Sequence, residues 1–372
     1  MRIMIAGGGT GGHTSPARAI LEEIHNRDSL LVAQWVGCRG SIEERVSAAM
    51  AIPFRSLSVE GWPRRRTPRR LWVALKLVWS VFRAWTYLRK FRPQVVVGVG
   101  GYVSLPLLWA AQRMGIPTVI HEQNRLLGVA NRLLAARATR VLLSFPETKG
   151  TYPPERTRVV GNPVRAAFES PPDAGTARES FGLDPAVPVV LVCGGSQGAR
   201  RINEAVAQAV MRFGAGEAQF IWMTGQADAA MGREIAEKAP VKTHVFPFID
   251  DMAGACAAAD IIVSRAGAST TAEIAMLGKP SILVPYPHAT DNHQWHNAQS
   301  FVNAGAAVLL EDSDCTADRL TVAIRDFLSR PAQLERMGAA ARTLANPRAT
   351  DAIVEEILGL VFGGEPRDRV SV

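Results

Sequence analysis

The chain has 372 residues, of which 47% are hydrophobic and 20% are charged, and its formal net charge is +8 at pH 7. This length suits two domains, and the composition excludes both a disordered chain and a polytopic membrane protein. Four scattered cysteines without a C-x-x-C pair indicate small buried side chains in a reducing compartment. The opening residues lack the basic and apolar regions of a signal peptide, so we expect the protein to stay in the cytosol.

The first predicted elements are a strand, a glycine-rich turn and a helix, which follow from IMIAGGGTGGHTSPA at residues 3–17. Glycines let a ligand approach the backbone, and the amides of a helix N-terminus favour a phosphate or diphosphate. Gly7, Gly9 and Gly12 match the spacing of a dinucleotide site, but the next strand ends without the acid that such a site needs. No Lys-Ser/Thr pair follows, which excludes a Walker A loop. The turn therefore predicts an anion site, with a ligand-free structural turn as the alternative.

Apolar runs rich in Val and Ile alternate with helix-like segments over the first 163 residues. The runs read IMIA, LLVAQWVG, QVVVGVG, PTVIHE, RVLLSF and TRVVGNP. Such runs between helices predict a parallel sheet of βαβ units rather than a β-sandwich. Polar groups occur at GVGGYVSLP (98–106) and HEQN (121–124), at strand ends where open parallel sheets bind ligands. His121 and Glu122 are adjacent on a strand, so at most one of them should face such a site.

Residues 61–92 contain ten Lys or Arg and no acidic residue. In a helical projection, a narrow polar face lies opposite an apolar face. The polar face consists of Lys76, Ser80 and Arg83. The apolar face consists of Leu71, Leu75, Val78, Phe82 and Trp85. Two charges within an apolar stretch of 18 residues argue against a spanning helix, whereas the interface of an anionic membrane suits this pattern. The alternative is a core helix whose Trp residues pack on the sheet. RNA binding is disfavoured, because the aromatic residues are not interleaved with the arginines.

The opening motif recurs half a chain later in VPVVLVCGGSQGARRINEAV, which begins at residue 187 and follows a polar, Pro-rich segment. Two Rossmann-like halves, each with a glycine turn facing a shared cleft, are the simplest architecture. We expect an N-terminal domain over 1–163 and a second domain over 164–345. A C-terminal helix and tail over 346–372 should pack back on the first domain.

Polar segments of the second half are candidate ligand contacts. SRAGASTTAEI (264–274) opens a helix, where Glu273 could stabilise the helix N-terminus or accept hydrogen bonds from a ribose. PYPHATDNHQWHNA (285–298) contains three histidines without zinc-site spacing, so sugar recognition is the better interpretation. Asp312 and Asp314 form a D-x-D sequence, which we interpret as helix capping rather than as a metal site. We therefore expect no metal and no cofactor.

Seven segments stand in order along the chain: GGGTGGHTSPA, GVGGYVSLP, HEQN, GNPVR, GGSQGA, SRAGASTTAE and PYPHATDNHQWHNA. Together they resemble the bacterial MurG family (glycosyltransferase family 28) over essentially the whole chain. The resemblance implies an α/β protein of the GT-B fold, with two Rossmann-like domains whose parallel sheets face an interdomain cleft. It also implies inverting, metal-independent transfer of GlcNAc from UDP-GlcNAc to the 4-hydroxyl of undecaprenyl-diphosphate-linked N-acetylmuramyl pentapeptide, converting lipid I to lipid II. The alternatives are a UDP-GlcNAc 2-epimerase and a non-catalytic nucleotide-sugar sensor.

The resemblance implies three sets of site residues. The UDP-GlcNAc donor set is Thr10, Gly11, Gly12, Asn124, Arg165, Ser196, Ile249, Ala268, Ser269, Thr270, Thr271, Glu273, His293, Gln294 and Asn297, with His293 and Gln294 as alternatives at the sugar. The acceptor set is Gly9, Thr10, Gly12, His13, Gly101 and Tyr102. The catalytic set is His13, our first candidate for the general base because imidazole titrates near neutral pH, and Glu122, our second.

The family's membrane-facing patch coincides with the basic helix. The residues expected to contact the membrane are Arg65, Arg66, Arg69, Arg70, Leu75, Trp79, Phe82 and Trp85. Expected partners are UDP-GlcNAc, the lipid-linked acceptor, the anionic surface of the cytoplasmic leaflet and other cell-wall synthesis proteins, without nucleic acid. We thus expect a peripheral protein on the cytoplasmic face of the bacterial inner membrane, with roles in cell-wall biogenesis, cell shape and cell division.

Overall fold

The computed structural model of the protein describes residues 1–9, 11–61, 68–289 and 292–363. The expected site residues Thr10, Arg65 and Arg66 lie outside these ranges. The chain divides into two compact units. Unit 1 comprises Met1–Arg165 and Arg348–Val372, and unit 2 comprises Ala166–Pro347.

Unit 1 contains a sheet that has seven strands over the described residues, all paired in parallel. The strands are β1 (Arg2–Ala6), β2 (Val32–Gly37), β3 (Phe54–Ser56), β4 (Val95–Gly98), β5 (Thr118–Glu122), β6 (Arg140–Leu143) and β7 (Thr157–Val159). Their order is β3-β2-β1-β4-β5-β6-β7, so the direction of winding reverses between β1 and β4. The helices that connect them are α1 (Gly11–Arg27), α2 (Ile42–Ala49), α3 (Arg69–Phe91), α4 (Ser104–Arg113) and α5 (Val129–Leu134). This is the doubly wound topology that the alternating pattern predicts.

The core of unit 1 lies on both faces of this sheet. Because successive side chains of a strand point to opposite faces, Ile3 and Ile5 of β1 join one apolar cluster while Met4 and Ala6 join the other. The first cluster includes Ile20 of α1, and the second includes the buried side of α4. Burial on both faces explains why these strands are continuous apolar runs instead of alternating ones.

Helix α3 packs on the protein through a side that contains polar as well as apolar residues, and six of its large apolar side chains face outward. Ser80, Ala84 and Leu88 are buried, and Ser80 Oγ donates to the Ser58 carbonyl oxygen at 2.9 Å. The Lys76 ammonium forms an ion pair with Glu60 on the same side. The large apolar side chains opposite are exposed, namely Leu71, Trp72, Leu75, Val78, Trp79 and Phe82. Within the described ranges, no helix is long and apolar enough to cross a membrane.

Unit 2 repeats the topology of unit 1 with a sheet of six strands in the part of the chain described, again all parallel. The strands are β8 (Val189–Cys193), β9 (Gln219–Met223), β10 (Thr243–Phe246), β11 (Ile261–Ser264), β12 (Ser281–Leu283) and β13 (Ala307–Leu309), in the order β10-β9-β8-β11-β12-β13. Its helices are α6 (Ala174–Ser180), α7 (Arg200–Ala209), α8 (Ala229–Lys238), α9 (Met252–Ala258), α10 (Ala268–Leu277), α11 (His293–Asn303), α12 (Ala317–Leu328) and α13 (Pro331–Arg342). The sheet again reverses its winding beside the strand that precedes the glycine turn.

The last helix, α14 (Ala349–Phe362), belongs to unit 1 although unit 2 precedes it in the chain. Ile353, Val354 and Ile357 are fully buried in the same cluster as Ile20 of α1. The Thr350 hydroxyl donates to the Val164 carbonyl oxygen at 3.1 Å, which fastens the start of α14 to the end of the first segment. Helix α14 is therefore part of the core of unit 1.

Candidate active site

In unit 1, three polar segments follow strands that end at the same edge of the sheet. Ala6 of β1 is in register with Gly98 of β4, and Gly98 is in register with Ile120 of β5. The segments after these strands contain the GGGTGGH turn, the GVGGY turn and the HEQN motif. The sheet therefore brings together the motifs that the sequence placed at strand ends, on both sides of the winding reversal.

The first glycine turn is packed too tightly for a side chain at Gly8. A Cβ atom at Gly8 would lie 2.3 Å from the Glu43 carboxyl carbon, and one at Gly101 would lie 2.5 Å from the Gly8 carbonyl oxygen. Glu43 is fully buried, because its carboxylate accepts hydrogen bonds from the amides of Gly9 (3.2 Å) and Cys38 (3.0 Å). Sequence reasoning missed Glu43, since a glutamate in the IEERVSAA helix is expected at the surface.

His13 lies in the first turn of α1 and points across to the second and third segments. Its Nδ1 atom is 3.0 Å from the Val99 carbonyl oxygen and 3.2 Å from Gln123 Oε1. The ring occupies the space that a side chain at Gly100 would fill, because a Cβ there would lie 2.8 Å from the ring atoms. Gly100 also has a φ of +98°, which L side chains rarely adopt. The GVGG sequence thus makes room for the imidazole.

Glu122, the second candidate base, is buried and fully engaged with its own loop. Oε1 accepts from the backbone amide and side-chain amide of Asn124, both at 3.1 Å. Oε2 accepts from the Gly128 amide at 2.8 Å and from Asn131 Nδ2 at 2.9 Å. Four donors on one carboxylate leave little capacity for accepting a substrate proton. This arrangement instead orders the loop after β5.

The other expected unit 1 residues surround His13 or follow it in the chain. Gly11 and Gly12 begin α1, and Gly9 precedes it with a φ of +87°. Tyr102 is exposed at the start of α4, beside Gly61. Asn124 and Arg165 belong to unit 1 as well, so the expected donor set is divided between the two units.

In unit 2, the donor motifs also share one edge of a sheet. Cys193 of β8 is in register with Ser264 of β11, which is in register with Leu283 of β12. The GGSQG, SRAGAST and PYPHATDNHQ segments follow these three strands directly. Ser196 lies in the turn that precedes α7, between Gly195 and Gly198, which both have positive φ.

The N-terminus of helix α10 contains hydroxyl side chains that belong to the expected donor set. Ala268, Ser269, Thr270 and Thr271 form its first turn, which contains no acidic residue to offset the helix dipole. Glu273 follows one turn later and is largely buried. Burial, and then the charge of Glu273, raise the pKa of the Cys193 thiol to about 12, which places the carboxylate near the end of β8. Ile249 is buried in the segment after β10.

The loop after β12 is held by side chains of neighbouring segments. Arg265 donates to the carbonyl oxygens of Val284 and Pro285, both at 3.1 Å. Gln294 Oε1 accepts from the Tyr286 amide at 2.9 Å, and Asn297 Nδ2 donates to the Ala266 carbonyl oxygen at 3.0 Å. Gln294 and Asn297 thus tie α11 to two of the donor segments, while His293 is the first residue of α11.

The D-x-D sequence carries ion pairs with arginines. Asp312 pairs with Arg265 at 2.6 Å and Asp314 pairs with Arg319 at 2.8 Å. The cap of α12 is Thr316, whose hydroxyl accepts from the Arg319 amide at 3.4 Å. The interpretation of Asp312 and Asp314 as helix caps was therefore wrong, since the cap of α12 is Thr316, two positions after Asp314. No cluster of His, Cys, Asp or Glu suited to a metal occurs in the described ranges.

The residues expected to contact the membrane differ in how exposed their side chains are. Leu75, Trp79 and Phe82 lie on the exposed apolar side of α3, where the Trp79 and Phe82 rings stack with centroids 5.8 Å apart. Trp85 is instead partly buried against the core. Arg69 and Arg70 lie at the start of the helix, and Arg69 pairs with Glu60 at 2.9 Å.

Comparison with known proteins identifies the class of these two units. Residues 3–143 match the N-terminal domain of glycosyltransferase family 28, and residues 189–353 match its C-terminal domain. The crystal structure of Acinetobacter baumannii MurG is similar with a TM-score of 0.72 and 30% identity, over 96% of this chain and 99% of that one. The parallel sheets of both units confirm the expectation of two Rossmann-like GT-B domains.

Sequence comparison with a curated relative identifies the particular transferase family within this class. The UDP-N-acetylglucosamine–N-acetylmuramyl-(pentapeptide) pyrophosphoryl-undecaprenol N-acetylglucosamine transferase of Syntrophus aciditrophicus is 39% identical over 97% of this chain and 99% of its own. The chain belongs to the family of these transferases. A UDP-GlcNAc 2-epimerase from Neisseria meningitidis has a TM-score of 0.65, covering 96% of this chain and all of that one, but only 14% identity, which shows the shared fold alone.

Proposed function

We propose that this chain transfers N-acetylglucosamine from UDP-N-acetylglucosamine to undecaprenyl-diphosphate-linked N-acetylmuramyl pentapeptide, the step that forms lipid II in peptidoglycan synthesis. The observation that carries the proposal is the 39% identity over nearly the full length to a transferase of that name. The 2-epimerase alternative has far weaker support, because its similarity is confined to the fold.

The reaction is an inverting displacement at the anomeric carbon. The acceptor 4-hydroxyl oxygen bonds to C1 of the sugar as the bond from C1 to the β-phosphate oxygen breaks and UDP leaves. We assign the hydroxyl proton to His13, because Val99 and Gln123 engage Nδ1 of its ring and Nε2 is the other nitrogen that can accept a proton. Glu122 is assigned to loop positioning, because its carboxylate already accepts four hydrogen bonds.

Negative charge develops on the β-phosphate as UDP leaves, and unit 2 has the groups to stabilise it. The first turn of α10 presents a helix N-terminus with no acidic residue in it. We assign residues 268–271 to binding of the diphosphate. We assign Glu273 to binding of the ribose hydroxyls. Gln294 and Asn297 are assigned to the sugar, because Gln294 binds the loop after β12 and Asn297 binds the segment after β11.

The exposed apolar side of α3 is the proposed membrane contact of the transferase. Six large apolar side chains on one side of this helix are exposed in unit 1, and basic residues begin and end the helix. A helix of this kind lies in the interface plane of an anionic bilayer with its apolar side among the acyl chains. We therefore propose that the protein acts on the cytoplasmic face of the inner membrane, where a lipid-linked acceptor would be within reach.

The direct test is transfer of labelled N-acetylglucosamine by the purified protein onto the lipid-linked muramyl pentapeptide. We expect a labelled lipid product and stoichiometric UDP release, both dependent on the acceptor. UDP release at the same rate without the lipid would support an epimerase, and binding of UDP-GlcNAc without turnover would support a sensor. Either result would overturn the proposal.

A further inference from the structure

A chain of hydrogen bonds runs behind His13 through the side chains of Gln123 and His121, which are not in the predicted catalytic set. Gln123 Nε2 is 2.9 Å from His121 Nδ1, and His121 Nε2 is 2.9 Å from the Gly161 carbonyl oxygen. Gln123 Oε1 faces His13 Nδ1 at 3.2 Å. His121 and Gln123 are both buried, so water does not compete for these bonds.

The two ends of this chain fix the direction of every bond in it. A carbonyl oxygen can only accept, so His121 Nε2 must carry a hydrogen and donate to Gly161. The other nitrogen of neutral His121, Nδ1, is then an acceptor, and the Gln123 amide must turn its NH2 group toward it. Gln123 Oε1 consequently faces His13 as an acceptor. Val99 supplies a second acceptor at the same nitrogen, 3.0 Å away.

His13 Nδ1 therefore faces two acceptors and must carry the hydrogen, which leaves the lone pair of the neutral ring on Nε2. We propose that His121 and Gln123 are positioning residues that hold His13 in its Nδ1–H tautomer, so that Nε2 is the proton acceptor in glycosyl transfer. The inference rests on the proposed function of His13 as the base, and it assigns a role to two residues that contact neither substrate.

The surroundings keep this direction constant over the pH range in which His13 acts. Burial lowers the pKa of His121 to about 4, so this ring stays neutral at pH values near 7. The neighbouring carboxylate of Glu122 is occupied by donors of its own loop. A proton on His121 Nδ1 would reverse the Gln123 amide and present its NH2 group to His13, which would leave the Val99 carbonyl oxygen as the one acceptor of this pair for a hydrogen on His13 Nδ1.

The first test observes the tautomer directly in the resting protein. Nitrogen-15 spectra of histidine-labelled protein, assigned with a His13→Gln variant, should show a protonated Nδ1 and an unprotonated Nε2 for neutral His13. In the Gln123→Met variant, which keeps the side-chain length but has no amide, only the Val99 carbonyl oxygen still accepts from Nδ1, so the fraction of the Nε2–H tautomer should rise. An Nε2–H tautomer in the unmodified protein would overturn the inference.

The second test uses kinetics that a purely structural role would not alter. Gln123→Met should lower kcat roughly ten- to hundredfold with little change in the KM for UDP-GlcNAc, since general-base catalysis contributes about that much or more. Gln123→Glu places a carboxylate against His13 Nδ1, stabilises the imidazolium and raises its pKa. The acid limb of the pH profile of kcat should therefore move to higher pH by about one unit or more.

The matched control is Gln112→Met, which removes a glutamine of unit 1 that donates to the Leu134 carbonyl oxygen at 3.0 Å, outside the chain of bonds. Equal losses of kcat in Gln112→Met and Gln123→Met, or an unmoved acid limb in Gln123→Glu, would overturn the inference. The spectra need no turnover. An unmodified protein with the Nδ1–H tautomer but no transfer activity would refute the proposed function and leave the tautomer assignment standing.

Discussion

The exposed side of α3 allows a quantitative prediction of membrane binding. Trp79 and Phe82 are 57% and 60% exposed and stack on one another, so both would leave water together when the helix enters the interface. Full burial of a large apolar side chain is worth about 1.5–3 kcal/mol, so the exposed portions contribute roughly 1–2 kcal/mol each. The double variant Trp79→Ser, Phe82→Ser should therefore weaken vesicle binding by roughly 30- to 800-fold.

The assay is co-sedimentation with vesicles that contain phosphatidylglycerol and phosphatidylcholine in varied proportion, at low and high salt. Binding of the unmodified protein should increase with phosphatidylglycerol content and fall with salt, because each basic residue near an anionic surface adds about 1 kcal/mol. Val322→Ser is the control, since Val322 is 67% exposed on α12 of unit 2. A loss smaller than about threefold in the double variant, or an equal loss in the control, would refute the reasoning.

Three further predictions concern the site and the core. Burial lowers the pKa of His121 from 6.5 to about 4, so the unfolded chain binds the proton more readily and stability falls as pH drops from 6.5 towards 4. The loss is about 3 kcal/mol, and the slope of unfolding free energy against pH should flatten in His121→Gln but not in His25→Gln. Ile353→Ala should destabilise unit 1 by about 2–4 kcal/mol in urea unfolding, and a change below about 0.5 kcal/mol would contradict the role of α14 in its core. Glu273→Gln should raise the KM for UDP-GlcNAc about tenfold with a smaller effect on kcat, whereas the exposed Glu237→Gln should change neither.

Much of this fold could be predicted because its strands are buried on both faces. Continuous apolar runs mark β1, β4, β5 and β8, and glycine or polar motifs mark their ends. Strand β3 could not be recognised, since it has three residues, FRS, at the edge of the sheet and none of them is buried. A short edge strand has neither the length nor the periodicity that distinguishes a strand from a loop.

The site was predictable where chemistry repeats along the chain, and hidden where it depends on contacts across the fold. The glycine turns, His13 and the donor motifs carry recognisable patterns. Glu43 could not be recognised, because its buried carboxylate is partnered by the amide of Gly9, 34 residues earlier, as well as by the nearby amide of Cys38. Gln123 could not be recognised either, since its proposed role depends on a hydrogen bond to His121. His121 is in turn oriented by the carbonyl oxygen of Gly161, far away in the chain.

The amphipathic helix shows a different limit. A helical projection separates a polar from an apolar side but does not say which one faces the protein. In α3, Lys76 and Ser80 face the protein, where they have partners in the segment after β3, and six large apolar side chains face outward. The sequence favoured membrane contact from the charge of the segment, and the exposure of Trp79 and Phe82 in the structure supports that proposal.

The position of α14 has a consequence for how the protein is made. A ribosome releases β1–β7 long before it synthesises Ile353, Val354 and Ile357. The sheet face that these residues cover therefore remains exposed to solvent while all of unit 2 is synthesised. Unit 2 is continuous in the chain and can complete its core first. The order in which the units finish folding is therefore the reverse of the order in which they begin to emerge. Nascent chains that stall before residue 349 would carry an uncovered apolar sheet face, the kind of surface that chaperones bind.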